Sequence, residues 1–243
     1  MENKMVAKKI LFTSGKGGVG KSTLSTTFAK LLCTRGKRVL MVDCDVSLRT
    51  LDIMLSVSSI VMFDWYDVVE ENCTPDVALV TTAGPKLLAA PVGDVMIDAN
   101  DMKKLMSIYE THFDYIILDC PAGVGRMFDA AISAVDLAII VSTPDKVCAR
   151  SAGVAATKAA NAGVKTKLII NRFKKGVVRN GRCLNIDEVV DEVDVQLIGV
   201  VPEDPEIALS TLNGELIDPN SKAVKAMERV MRRLDGEDVP LKI

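Results

Sequence analysis

Short, unbroken apolar runs alternate along the chain with longer stretches of helical spacing. Runs within Lys8–Thr13, Lys37–Val42, Phe113–Leu118, Leu137–Val141, Lys167–Ile170 and Leu197–Val201 have the pattern of strands buried on both faces. Between them lie helical patterns. One follows Leu24 to Leu32 and closes at Gly36, a glycine placed to take the left-handed turn after a helix. A second, Asp98–Tyr109, gathers Met102, Leu105, Met106 and Tyr109 on one face, and a third covers Ala149–Ala162. Met62–Glu71 reads as a helix with Trp65, Val68 and Val69 in the core. Ser47–Ile60 is apolar without a period, which gives a loop and a short helix. Val77–Thr81 and Lys86–Pro91 read as two short strands around an Ala-Gly-Pro turn.

This alternation predicts an α/β fold: a mostly parallel twisted sheet with helices on both faces and right-handed crossovers. No internal repeat, low-complexity segment or linker interrupts it, so residues 1–243 are expected to form a single domain. Charge and composition narrow the picture. Thirty Lys and Arg face 32 Asp and Glu, and aromatics are 4% of the chain, so nucleic acid is not an expected partner. Six scattered cysteines without a C-x-x-C pair, and a single histidine, His112, argue against a metal cluster or a disulfide frame. With no signal peptide and no apolar run near the roughly 18 residues of a spanning helix, a cytoplasmic location is expected.

The most informative stretch is Gly15-Lys16-Gly17-Gly18-Val19-Gly20-Lys21-Ser22-Thr23, between the first strand and the first helix. It has the form G-x-x-x-x-G-K-[ST] in the strand–loop–helix setting of a phosphate-binding P-loop. Glycines let successive N–H groups curl around one anion, and the helix N-terminus adds partial positive charge. Lys21 would reach the terminal phosphates and Ser22 would ligate Mg²⁺. Asp43 and Asp45 follow the second strand, at the end of the sheet where open α/β folds hold ligands. Asp119 closes a buried strand in the manner of a Walker B aspartate.

Two lysines in the loop, Lys16 and Lys21, give it the deviant Walker A form. With Val42-Asp43-Cys44-Asp45, Leu118-Asp119-Cys120-Pro121-Ala122-Gly123 and Val201-Pro202-Glu203-Asp204, the chain resembles the MinD/ParA superfamily of ATPases. Leu48-Arg49-Thr50-Leu51-Asp52, Ile170-Asn171-Arg172 and the Val239-Pro240-Leu241 ending place it nearest the MinD branch. The resemblance implies a P-loop ATPase that uses ATP and Mg²⁺, hydrolyses slowly, forms an ATP-dependent homodimer and governs septum placement in cell division. Lys16 would cross to the partner's nucleotide, and Asp45 would orient or activate the attacking water. Asp119 would hold Mg²⁺ through a water beside Ser22, with Asp43 behind them. Asn171, Arg172, Pro202, Glu203 and Asp204 would meet the base.

The resemblance also implies a division-inhibitor partner and an activating regulator. Where the family places two aspartates after Arg150, however, this chain has Ser151 and Gly153. Cys120 stands in place of a small hydroxyl residue and Gly125 in place of a frequent Glu. Contact with the inner membrane face would need a basic amphipathic tail beyond Ile243. Lys222–Leu234 is itself basic and amphipathic, but the resemblance makes it the last core helix. The other reading, a ParA-type partitioning ATPase on nucleoid DNA, would rest on the Arg229–Arg233 cluster. Iron–sulfur carriers with similar loops need paired cysteines at a dimer axis, and Cys120 has no mate of that kind.

Overall fold

The apolar runs pair into one sheet. A computed structural model of the protein describes residues 6–46, 48–93, 95–215 and 218–242. Its strands are β1 (Lys8–Thr13), β2 (Val39–Asp43), β3 (Leu79–Val80), β4 (Lys86–Leu88), β5 (Tyr115–Asp119), β6 (Leu137–Ser142), β7 (Lys165–Phe173) and β8 (Leu197–Pro202). They lie in the order β3-β4-β2-β5-β1-β6-β7-β8, parallel except for the β3–β4 pair. The helices are α1 (Lys21–Thr34), α2 (Leu51–Met54), α3 (Trp65–Val69), α4 (Ala99–Tyr109), α5 (Arg126–Ile132), α6 (Lys146–Asn161), α7 (Lys175–Arg179), α8 (Ile186–Val193), α9 (Pro205–Leu212) and α10 (Lys222–Leu234).

Strand periodicity divides the core into two layers. From β1, Leu11 joins Leu40, Val42, Ile116 and Leu118 under α3, α4, α5, α6 and α8. Its neighbours Ile10 and Phe12 join Met41 and Ile117 on the opposite face, under α1, α9 and α10. The sheet order sets β2, β5 and β1 side by side, with Phe12 and Asp43 both opposite Asp119. Three chain segments far apart in sequence therefore deliver their C-terminal residues to one place.

Element boundaries differ from the sequence expectation where polar side chains intervene. The helix expected from Met62 starts at Trp65 because Asp64 caps it, accepting from the N–H groups of Tyr66 and Asp67 while Asp67 answers the Asp64 N–H. The strand expected from Lys37 starts at Val39, since the Arg38 N–H donates to the Asp114 carboxylate at 2.8 Å instead of joining the ladder. The basic amphipathic helix, α10, is buried on the sheet as expected: Val224, Met227, Val230 and Met231 pack into the layer with α1. Each such side chain contributes about 1.5–3 kcal/mol by leaving water. Gly199 permits this approach, since a Cβ there would fall 2.3 Å from Val230 Cγ2. Among the described residues no helix is long and apolar enough to cross a membrane.

Candidate functional site

At the carboxyl edge of the sheet, Asp119 is fully buried and serves as the centre of a polar cluster. The Lys21 ammonium donates to one of its oxygens at 3.0 Å and the Ser22 hydroxyl to the other at 2.5 Å. Ser25, one helical turn further on, also donates to Asp119, at 3.1 Å. Burial pulls the Lys21 pKa down, but the Asp119 charge and hydrogen bond outweigh it, and the net shift is upward. The first turn of α1 carries no acidic residue and no side-chain cap, and Gly20 before it is left-handed (φ 89°). Those helix N–H groups are thus left for an anion. The loop is also tightly seated: a Cβ on Gly15 would lie 2.0 Å from the Ser151 carbonyl oxygen, and one on Gly20 would lie 2.4 Å from Asn171 Nδ2.

Lys16 is placed differently. Its side chain is exposed, and its charge reaches Asp145, the N-cap of α6. Burial raises that carboxyl, but bonds from Cys148 and Thr143 and the nearby Lys16 hold it below the ordinary range.

Asp43 organises the other side of the cluster. Buried at the end of β2, it accepts the Asp45 N–H at 2.9 Å and the Leu51 N–H at 3.0 Å, and so sets the loop that carries Asp45. The Asp45 carboxylate accepts the Leu48 N–H at 3.2 Å. Trp65 closes this corner, its indole N–H donating to the Asp43 carbonyl at 2.8 Å. Burial first, and then the Asp119 charge, raise the Asp43 carboxyl from 3.8 to about 7 against its two backbone bonds.

The folded chain therefore keeps a proton that the unfolded chain has already released, and this gives a sign. Nucleotide-free stability is expected to fall as pH rises from 3.8 to about 7, by an amount on the order of a few kcal/mol. Urea midpoints across that interval should show the slope in wild type, and Asp43→Asn should flatten it.

On the base side the residues separate. Asn171 is buried and donates through Nδ2 to the Val19 carbonyl at 2.8 Å, so it pins the P-loop. Arg172 is exposed beside Gly20, in the left-handed region (φ 54°). Glu203 pairs with Lys174. Asp204 narrows the sequence expectation: its carboxylate accepts Glu206 N–H at 3.2 Å, Ser221 Oγ at 2.7 Å and Ala223 N–H at 3.3 Å. That side chain ties the starts of α9 and α10 together. The Arg229–Arg233 cluster is also occupied. Arg233 donates to the carbonyls of Ile198, Val239 and Pro240, Arg232 pairs with Glu237, and Arg229 reaches the Lys242 carbonyl.

Sequence reasoning passes over Ser25, and it places Trp65 in the core without its bond to the Asp43 carbonyl. Ser25 had a readable signal, since three residues past Ser22 on a helix is the same face. The Trp65 bond had none, because its partner lies 22 residues away.

Two hydroxyls, two buried carboxylates, a buried lysine and unclaimed helix N–H groups form a hard-oxygen and cationic set that suits a magnesium–nucleotide polyphosphate. Residues 5–235 match the ParA family model, described as NUBPL iron-transfer P-loop NTPase. The septum site-determining protein MinD of Bacillus subtilis is 35% identical over 248 residues, covering 98% of this chain and 92% of that protein. The chain belongs to the MinD/ParA family. Among solved structures, MinD in the MinC:MinD cell division complex of Aquifex aeolicus aligns with TM-score 0.86 at 34% identity, over 98% of this chain and 99% of that one. The Pyrococcus horikoshii MinD complexed with Mg-ADP aligns with TM-score 0.83 at 28% identity, over 94% and 96%. As a MinD/ParA P-loop ATPase, the protein is an ATP hydrolase that uses Mg²⁺.

Proposed function

We propose that this ATPase places the division septum as a nucleotide-switched pair, two copies closing on ATP and parting after hydrolysis. The observation that carries the reading is the contrast between its two loop lysines. Lys21 is buried against Asp119 and serves its own site; Lys16 is exposed on the rim of the same loop, which supports its acting on a site of another molecule. A second cation at the γ-phosphate acts as an arginine finger does, on charge that shifts during phosphoryl transfer.

Within one subunit Lys21 and the α1 N–H groups bind the phosphates. Ser22 and, through water, Asp119 hold Mg²⁺, with Asp43 fixing the surrounding loop. When bound, the metal draws negative charge off the phosphate oxygens. Asp45 orients the attacking water and accepts its proton. Asn171 reads the adenine amino group through its carbonyl oxygen, Arg172 covers the base, and the Pro202–Asp204 backbone borders it. The location proposed is cytoplasmic.

Light scattering tests the reading. Asp45→Ala with saturating Mg·ATP should run as a dimer and with ADP as a monomer; a monomer under both conditions would sink it.

A division-inhibitor partner is supported by the Aquifex aeolicus MinD, solved with MinC. The α6 surface that would meet it is altered here. Gly153 backs onto α8, and a Cβ at that position would fall 2.8 Å from the Glu192 carbonyl oxygen. The family aspartate therefore does not fit at residue 153 without moving α8. Gly153→Asp should lower stability by about 1–3 kcal/mol in thermal unfolding, whereas Ser151→Asp, at a partly exposed position, should change it little. Among the described residues the guanidinium groups of Arg232 and Arg233 are engaged within the chain, which counts against the nucleic-acid reading.

A further inference from the structure

The loop between Asp119 and α5 is held in an unusual way. It contains Gly123, left-handed at φ 93°, and Gly125, and a Cβ added at either would meet nothing within 4 Å. Packing at these two positions does little to fix it. It is instead tied on two sides. The Gly123 N–H donates to the Ser14 carbonyl at 2.8 Å, at the entry to the P-loop, and the Ser14 hydroxyl donates in turn to the Lys16 carbonyl at 3.0 Å. From the other side, α6 sends in Lys158. Its ammonium donates to the Val124 carbonyl at 2.8 Å, pairs with Asp129 at 2.5 Å and lies 5.5 Å from the centre of the Phe128 ring. The α6 backbone at Ser151 meanwhile abuts Gly15. The P-loop, the loop after Asp119 and α6 thus form a closed triangle, with Lys158 on its third side.

We infer that Lys158 is a positioning residue for ATP hydrolysis: its bond to the Val124 carbonyl fixes the loop after Asp119 against the P-loop. The Asp129 partner is secondary. Both side chains of that pair are substantially exposed, 37% and 55%, and water screens such a pair. The carbonyl bond instead restrains backbone four to five residues from a buried carboxylate, where small displacements matter to catalysis. The inference rests on the ATP hydrolysis stated above.

The test compares Lys158→Met, Lys158→Arg and Asp129→Asn in the full chain. Each is followed by steady-state ATP turnover, thermal melting and amide hydrogen exchange over residues 121–126. Lys158→Met should lower kcat about ten-fold with KM for ATP within about two-fold, an unchanged melting point and faster exchange in the loop. Lys158→Arg, whose guanidinium reaches the same carbonyl, should restore both turnover and protection, and Asp129→Asn should keep them. Wild-type turnover and wild-type loop exchange in Lys158→Met would overturn the inference. So would a loss of turnover that follows the melting point and is not rescued by Arg. Loop exchange is read without turnover, so an inactive wild type would count against the hydrolysis reading and leave this one to be judged on its own.

Discussion

Lys21→Met is expected to cut ATP turnover at least about a hundred-fold and to destabilise the nucleotide-free protein by about 3–5 kcal/mol. The second effect follows from burial. Lys21 is 8% exposed and Asp119 0%, with nitrogen and oxygen 3.0 Å apart. The attraction between them offsets the cost of taking both charges out of water. When the lysine is lost, Asp119 keeps its two hydroxyl donors, Ser22 and Ser25, but no neutralising charge. Asp119→Asn leaves the ammonium stranded in the same way. The double variant, Lys21→Met with Asp119→Asn, removes both charges and should recover most of the stability while remaining inactive. A urea double-mutant cycle reads this directly. Additive losses would mean that the two groups are not coupled in the folded protein and that the cluster is not one electrostatic unit.

What could be read from the sequence was what is local. β1 is bounded as the apolar run predicts, and the P-loop, Asp43 and Asp119 converge because each ends or follows a buried strand. An apolar run closed by an acid is a signal within six residues. The illegible features depend on residues distant in sequence. Asp204 groups with the base-binding segment by its neighbours in sequence, but its carboxylate is claimed by Ser221, 17 residues away. Lys158 reads as an ordinary polar position on a helix until Val124, 34 residues earlier, is brought beneath it. The pattern of α10 fits a membrane-surface helix and a core helix equally. The choice rests on β8 and Gly199, which admits Val230 against the sheet. Gly153 looks like the loss of a partner-binding aspartate, yet in the fold it is the point where α8 presses on α6.

Lys16→Ala should separate chemistry from folding more cleanly than any other substitution. The side chain is exposed, so stability should stay within about 0.5 kcal/mol of wild type. Turnover should fall by about a thousand-fold or more, the scale of a lost finger residue in phosphoryl transfer. Cis and trans action then make opposite predictions for a mixture. A subunit with Lys16→Ala keeps its own Asp45, Lys21 and Asp119; a subunit with Asp45→Ala keeps its Lys16. If Lys16 serves the opposite subunit, each mixed pair contains one complete site, made of the first subunit's cluster and the second subunit's lysine. Equimolar mixing should then restore about a quarter of wild-type turnover, because half the pairs are mixed and each has one working site of two. If Lys16 acts only on its own nucleotide, every site in the mixture lacks one group and turnover stays at the level of the single variants. The exposed position of one lysine and the buried position of the other, five residues apart in one loop, would then need a different explanation, and pairing would no longer be the step that hydrolysis waits for.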